Sequence, residues 1–337
     1  MYFTIIFLPY QIKIITIYKM DIKNIAELKN RLITDCLKGS DSSVTNVFLL
    51  MPKYNTELFL GNDYFLRYYH GLPNRTGYAF PLPLKDLKKP DGSSPDQSVY
   101  LKNAFLHILE SRKDSPVDFC LFTLNQKNTF DNFLKENFPS YKVNWDSLRD
   151  DSDYIYLQKN LAELPGPVLH KKKNHVSKFL RTYEGKWEYK PFPEEDIADD
   201  FLLIEEKWFN ERSNDVEKAF DKESLLLEKE SIKYAIENHE LFGLSGGIIY
   251  IEGEPAAMCL ASPISDDTLD VHFEKVLSQY AQNGGYPAIN NFFAKSKSDY
   301  LYFNREEDVG VEGLRKAKLS YKPEILLDKY FGRLEKC

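Results

Sequence analysis

The chain has 337 residues, 43% hydrophobic and 28% charged, with a formal net charge of −7. The length predicts about two domains of roughly 150 residues, and the composition is that of a soluble globular protein. The negative balance excludes nucleic-acid binding by the whole surface and leaves only a local basic patch for that purpose.

Residues 1–19, MYFTIIFLPYQIKIITIYK, are apolar but broken by Pro9, Gln11 and Lys13. They fall short of the ~20 apolar residues of a spanning helix and lack the charged start of a secretory signal. They are expected to be a non-native extension, with Met20 the start of a first domain over residues 20–160. A helix over 25–37 places Leu28, Leu32 and Cys36 four apart. Short strands follow at 46–51 (NVFLLM), 56–60, 64–70 and 77–83, parted by Gly and Asn turns. A loop at 88–97, a helix over 98–113, a strand at 118–124, a second short helix and a strand at 153–158 complete this half. The second domain, residues 161–337, opens with a helix over 170–183. A second helix, 194–209, aligns Ile197, Phe201, Ile204 and Trp208 in one stripe, and another covers 223–240. A hairpin over 246–264 turns at Glu252–Pro255. The strand 268–276 puts Leu269, Val271 and Phe273 on one face and Asp270, His272 and Glu274 on the other. A helix over 284–296 opens on glycines and a proline, and a strand at 300–303 leads into NREEDVGVEGLRKAKLSYKP. This order of elements is α/β or α+β.

Aromatic residues make up 14% of the chain, which predicts core packing before stacking on a ligand. The four cysteines, at 36, 120, 259 and 337, show no CxxC or zinc-finger spacing and predict a reduced, cytoplasmic protein. No HExxH-like group and no GxxxxGK[ST] loop is present, so neither a metal nor a tightly bound cofactor is expected.

Charge is unevenly placed. Residues 171–190 hold seven Lys/Arg against two Glu, a net +5, whereas 194–230 hold fourteen acidic and five basic residues, a net −9. Lys171, Lys172, Lys173, Asn174 and His175 read either as a docking surface for phosphates, such as a tRNA acceptor arm or a phosphorylated small-molecule donor, or as a solvated helix face.

The runs DYIYLQKNLAELPGPVLHKKKNHVSKFLRTY, GGIIYIEGEPAAMCLAS, VHFEKV and NREEDVGVEGLRKAKLSYKPEILLDKY together resemble bacterial proteins carrying the C-terminal region of phosphatidylglycerol lysyltransferase. The resemblance covers residues 21–335 and is most specific over Asn304–Pro323. It implies two tandem GNAT-like (N-acetyltransferase-like) domains with mixed, mainly antiparallel sheets, and kinship with enzymes that move aminoacyl groups from charged tRNA. The lipid-modifying relatives carry a large membrane-embedded region that this sequence lacks, which points away from a membrane lipid as acceptor. In acetyl-CoA-dependent relatives, a glycine loop holds pyrophosphate at a helix N-terminus. Here the corresponding run is QYAQNGGYPAIN, in which the glycine spacing fails and Pro287 lacks an N–H. An aminoacyl-tRNA donor is therefore expected ahead of acyl-CoA.

Within that frame Glu274, on the strand bordering the implied donor cleft, reads as a general base or as an ion-pair partner, and His272 as the alternative base. Asn304 and Arg305 follow a strand end, where α/β clefts form. Glu306 and Asp308 precede Gly310 and Gly313, whose glycines allow close approach or positive φ, and Asp308 is placed to cap the next helix. Arg315 and Lys318 share a helix face, and Lys318, Ser320 and Tyr321 are expected to enter a final strand. As a cleft wall, Arg305 and Lys318 would stabilise negative charge on an acyl carbonyl. As a clasp, the five basic and four acidic residues of 305–322 would pair among themselves. The reading of the whole is an aminoacyl transferase acting on an amine or hydroxyl acceptor. The alternatives are a non-catalytic ligand- or RNA-binding protein and an acetyl-CoA-dependent N-acetyltransferase.

Overall fold

The computed structural model describes residues 22–32, 34, 37–71, 75–84, 97–112, 115–213 and 222–337. The expectations for residues 1–19 and for nearly all of the 88–97 loop lie outside these. In chain order the elements are α1 (Ile22–Arg31), α2 (Val44–Tyr54), β1 (Glu57–Leu60), β2 (Tyr64–His70), β3 (Thr76–Tyr78), β4 (Leu82–Pro83), α3 (Gln97–Ser111), β5 (Asp118–Thr123), α4 (Leu124–Asn137) and β6 (Tyr141–Ser147). Next come β7 (Asp153–Leu157), α5 (Gln158–Glu163), α6 (Gly166–Thr182), β8 (Trp187–Phe192), α7 (Ala198–Ser213), α8 (Lys222–Glu237), α9 (His239–Phe242), β9 (Ser245–Ile251) and β10 (Glu254–Pro263). The chain ends with β11 (Thr268–Val276), α10 (Ser278–Ala281), α11 (Gly285–Ser296), β12 (Tyr302–Asn304), α12 (Glu312–Leu319), β13 (Ile325–Leu327) and β14 (Lys329–Lys336).

These fold as two compact α/β units. The first takes the described residues up to 34, Met51–Asp151 and Asp328–Cys337; the second takes the described residues of 37–50 and Ser152–Leu327. The units interleave in sequence, which a single boundary at residue 160 does not express. Each carries a mixed, mainly antiparallel seven-stranded sheet, as the sequence implied. In the first unit the order is β1-β2-β3-β5-β14-β6, with β4 beside β2, and only β3–β5 is parallel. In the second the order is β13-β7-β12-β11-β10-β9-β8, and only β11–β12 is parallel.

Local chemistry explains most boundaries. Thr123 and Gln126 form a reciprocal capping box at the start of α4. The β9–β10 hairpin turns through Glu252 and Gly253, both at positive φ, as a two-residue hairpin demands. Residues 46–51, expected to be a strand, lie in α2. The Ser43 hydroxyl accepts the Asn46 N–H at 3.2 Å, capping a helix whose five-residue apolar run, 47–51, fits either structure.

The first unit spends its aromatics on its core: Phe130 meets Phe105, Phe119 and Phe122 at centroid distances of 5.9, 5.0 and 5.7 Å, all edge-on. The second packs Ile249, Leu269, Val271, Phe293 and Phe303 between sheet and helices. No helix among the described residues is long and apolar enough to cross a membrane.

Candidate active site

The site lies in the second unit, where two parallel strands part. β11 pairs with β10 almost throughout, but with β12 only over Thr268–Asp270. Beyond Asp270 side chains fill the fork. Arg305, the residue after β12, reaches across so that its Nη2 donates to Glu274 Oε1 at 2.9 Å, both side chains being 12% exposed. Tyr156 of β7 and Tyr321 wall the fork edge-on, and the Arg305 guanidinium lies 5.7 and 5.1 Å from their ring centres. Lys172 of α6 places Nζ 4.0 Å from the Tyr321 ring centre. Asn290 of α11 donates its Nδ2 to Glu274 Oε2 at 3.2 Å.

Two polar atoms of this group have no hydrogen-bond partner among the described residues although they are buried: Arg305 Nη1, a donor, and Asn290 Oδ1, an acceptor. An unmet buried group costs about 1–3 kcal/mol and calls for an explanation. Burial, reinforced by Arg305 and opposed by Glu274, pulls the Lys172 ammonium down to about 8. Burial opposes the Arg305 charge, but Glu274 and the tyrosines more than offset it and hold the guanidinium charged.

The other residues of the charged motif are spent on structure. Lys318 lies in α12, not in a final strand, and Ser320–Lys322 is a turn before β13. Lys318 Nζ donates to the carbonyls of Arg305 at 2.5 Å, of Glu306 at 3.1 Å and of Glu307. Its three N–H donors are used up, leaving none to polarise an acyl carbonyl. Asn304 is equally occupied: Nδ2 donates to Lys38 O and Asp153 Oδ2, and Oδ1 accepts the Glu306 N–H. Asp308 does not cap α12, whose N-cap is Val311. It accepts the Tyr154 hydroxyl at 2.5 Å, the Gly310 N–H and both arms of Arg315. Gly310 uses its freedom at φ 77° beside Val309 at φ 47°, whereas Gly313 is exposed in α12 and borders open space. The Ser320 hydroxyl donates to Ala317 O, and its backbone N–H closes the end of α12 on Lys316 O.

His272 shares its β11 face with Glu274 but is engaged with other partners. Its Nε2 is 2.7 Å from Ser262 Oγ, and its Nδ1 is 3.4 Å from Glu306 Oε1 and 3.6 Å from Asp270 Oδ2. On α6 only Lys172 turns into the fork; Lys171, Lys173 and Asn174 are exposed and His175 half-buried. Burial, helped by the neighbouring lysines, lowers the His175 pKa.

The glycine run before α11 serves helix packing. A Cβ on Gly284, at φ 93°, would come 2.4 Å from His175 O. Nearby, Glu211 Oε2 takes the Ser278 N–H at 3.0 Å and its hydroxyl at 2.8 Å. A cleft of about 560 Å³ beside it is lined by Lys207, Glu211, Glu254 and Tyr280 among others. A carboxylate thus already holds the backbone N–H that starts α10.

Sequence reasoning brought out Glu274, Arg305, Lys172 and Tyr321, which meet, and missed Tyr156 and Asn290. Asn290 and Asn291 did carry a signal: two amides amid the apolar residues of AINNFF are buried, and a buried polar pair must be bonded. Asn291 serves the carbonyls of Leu161 and Ala162.

Residues 102–332 match the family described as "Phosphatidylglycerol lysyltransferase, C-terminal". A conserved protein of unknown function from Bacteroides thetaiotaomicron is 26% identical, with a TM-score of 0.78 over 96% of this chain and 100% of its own. The C-terminal domain of a protein assigned as a lysylphosphatidylglycerol synthetase of Agrobacterium fabrum is 10% identical. Its TM-score is 0.55, over 93% of this chain and 92% of its own. An uncharacterized protein of Mycoplasmoides gallisepticum is 23% identical over 66% of this chain and 73% of its own length.

Proposed function

Since the chain belongs to the phosphatidylglycerol lysyltransferase C-terminal family, a family of acyl transfer, we propose that it moves an aminoacyl group from aminoacyl-tRNA to an amine or hydroxyl acceptor. The observation that carries this reading is the pair of unmet buried atoms at the fork, Arg305 Nη1 and Asn290 Oδ1, on either side of Glu274. An aminoacyl ester answers both. Its carbonyl oxygen accepts from Arg305 Nη1, and its α-ammonium donates to Asn290 Oδ1 and faces the Glu274 carboxylate.

The chemistry needs no covalent enzyme intermediate. The acceptor nitrogen or oxygen attacks the ester carbonyl carbon, forming the new bond, and the bond from that carbon to the ribose oxygen breaks. Arg305 Nη1 stabilises the oxyanion. Lys172, with its pKa near 8, takes the acceptor's proton in its neutral form and hands it to the leaving ribose oxygen. This moves the base from Glu274, which is committed to Arg305, to Lys172. The Glu211 carboxylate at Ser278 supports a donor other than acyl-CoA, because pyrophosphate would be repelled there.

The test is single-turnover transfer from a panel of charged tRNAs. Arg305→Lys keeps the charge but cannot serve Glu274 and the carbonyl together. The transfer rate should fall by about 100-fold or more, with tRNA binding retained. Unchanged rates in Arg305→Lys would overturn the assignment of the fork.

A further inference from the structure

Behind the fork, a second set of side chains converges. Asp270 and His272, two apart on β11, share one face of the strand. Glu306 returns to them from beyond β12, and Asn46 reaches them from α2. The carboxylate oxygens of Asp270 and Glu306 and the Nδ1 of His272 all lie within 4.8 Å of one another. The Asn46 amide nitrogen stands 2.8 Å from Glu306 Oε1 and 3.4 Å from Asp270 Oδ2.

We propose that Asn46, Asp270, His272 and Glu306 form a zinc-class divalent cation site that clips α2 to β11 and to the segment after β12. The donor spacing carries this. A tetrahedral centre with bonds of about 2.0–2.1 Å puts its donor atoms about 3.4 Å apart. The His272 Nδ1 is 3.4 Å from Glu306 and 3.6 Å from Asp270. With a cation bound, the Ser262 hydroxyl, 2.7 Å from His272 Nε2, would accept that N–H and leave the Nδ1 lone pair for the metal. Metal-bound histidines are fixed in the same way by a partner on the other ring nitrogen. A half-turn of the Asn46 amide, whose nitrogen and oxygen are exchangeable by rotation, presents Oδ1 as a fourth donor.

Charge favours the same assignment. Two carboxylates so close, with Asp270 fully buried, disfavour both being ionised at once, and a cation between them would relieve that cost as a shared proton or an imidazolium would. One imidazole with oxygen donors suits Zn²⁺ or Mn²⁺ better than Mg²⁺, which prefers waters and a wholly oxygen shell. Four protein donors make the site closed and structural. Glu306, with 23% of its side chain exposed, provides the way in. No local motif announces the site, because Asn46 and Asp270 stand 224 residues apart.

The experiment uses the full chain, stripped with chelator and titrated with ZnCl₂, MnCl₂ and MgCl₂ by calorimetry and thermal unfolding, with Co²⁺ as an optical probe. One Zn²⁺ per chain should bind saturably and raise the Tm, Mg²⁺ should not compete, and Co²⁺ should give the strong visible band of a tetrahedral site. His272→Gln should lose the Co²⁺ band and at least tenfold in Zn²⁺ affinity. Glu306→Gln, at the accessible edge and least disruptive to folding, should lose affinity comparably. Absence of saturable Zn²⁺ binding in the wild type overturns the proposal. So does Zn²⁺ binding that Glu306→Gln and His272→Gln leave intact; the cluster would then be held by an imidazolium between two carboxylates.

Discussion

Lys172 shows how one side chain can be set to a task by its surroundings. Burial is the larger influence and Arg305 the next, both disfavouring its charge, while Glu274 resists them, and the result is a pKa of about 8. If the neutral amine is the base, the transfer rate rises with pH and levels off above about 8. Lys172→Arg, which stays charged, removes that rise; a pH–rate profile unaltered in Lys172→Arg would deny Lys172 the role. Asp308 is tuned the other way. Burial raises its carboxyl, but Arg315, Tyr154 and the Gly310 N–H outweigh burial and hold it at about 2, below its ordinary 3.8. A folded-state pKa below the unfolded one stabilises the fold above pH 3.8, and that stability is lost as pH falls from 3.8 towards 2. Asp308→Asn should therefore cost about 2–3 kcal/mol at neutral pH and flatten the acid limb of urea-unfolding stability. An identical acid limb in the variant would show that the clasp contributes nothing. The charged segment after β12 was legible as both wall and clasp because its charges nearly balance. Sequence does not reveal that Lys318 exhausts its donors on three carbonyls while Arg305 keeps one free. Donor accounting needs the backbone path.

Strand β11 and helices α3 and α8 were readable because their periodicity is set by what they bury. β6, β8 and β14 were not. YKVNWDS, WEYKPF and KYFGRLEK are largely half-buried or exposed, so their alternation lacks an apolar face. β14 nonetheless lies inside the first unit's sheet, hydrogen-bonded to β5 on one side and β6 on the other. Its partners are set by topology, and local pattern carries no information about them. Deleting residues 328–337 should expose both neighbouring strand edges and abolish cooperative unfolding of the first unit. Limited proteolysis that cuts no faster within 97–147 after the deletion would contradict this. Gly284 offers a similar test in the second unit. Its sequence setting suggests a turn or phosphate-loop glycine, but it allows α6 and the start of α11 to touch. Gly284→Ala sets a Cβ 2.4 Å from His175 O at a φ of 93°. About 1–3 kcal/mol of stability should be lost, measured by denaturant unfolding, and Lys172 should be displaced from Tyr321.

Across the whole chain, charge decides how a polyanionic donor could approach. A net −7 repels tRNA at long range, and the −9 of residues 194–230 concentrates that repulsion. Residues 171–190 carry +5, and their exposed Lys171 and Lys173 stand on the same helix as Lys172, which faces the fork. A donor held at the phosphates by the exposed lysines would therefore present its terminal ester near the half-buried Lys172. The fold thus turns a charge run, which by itself fits a solvated helix face equally well, into a surface bordering a site. If that surface binds tRNA, affinity should fall linearly in log–log terms with salt. Lys171→Ala with Lys173→Ala should then reduce the slope by about 0.7–0.9 for each phosphate that is no longer neutralised. Anisotropy measurements at several salt concentrations separate the outcomes. A slope unchanged by the double substitution would return α6 to a solvated face. A reduced slope with transfer chemistry intact at saturating tRNA would assign the exposed lysines to docking and the fork to catalysis.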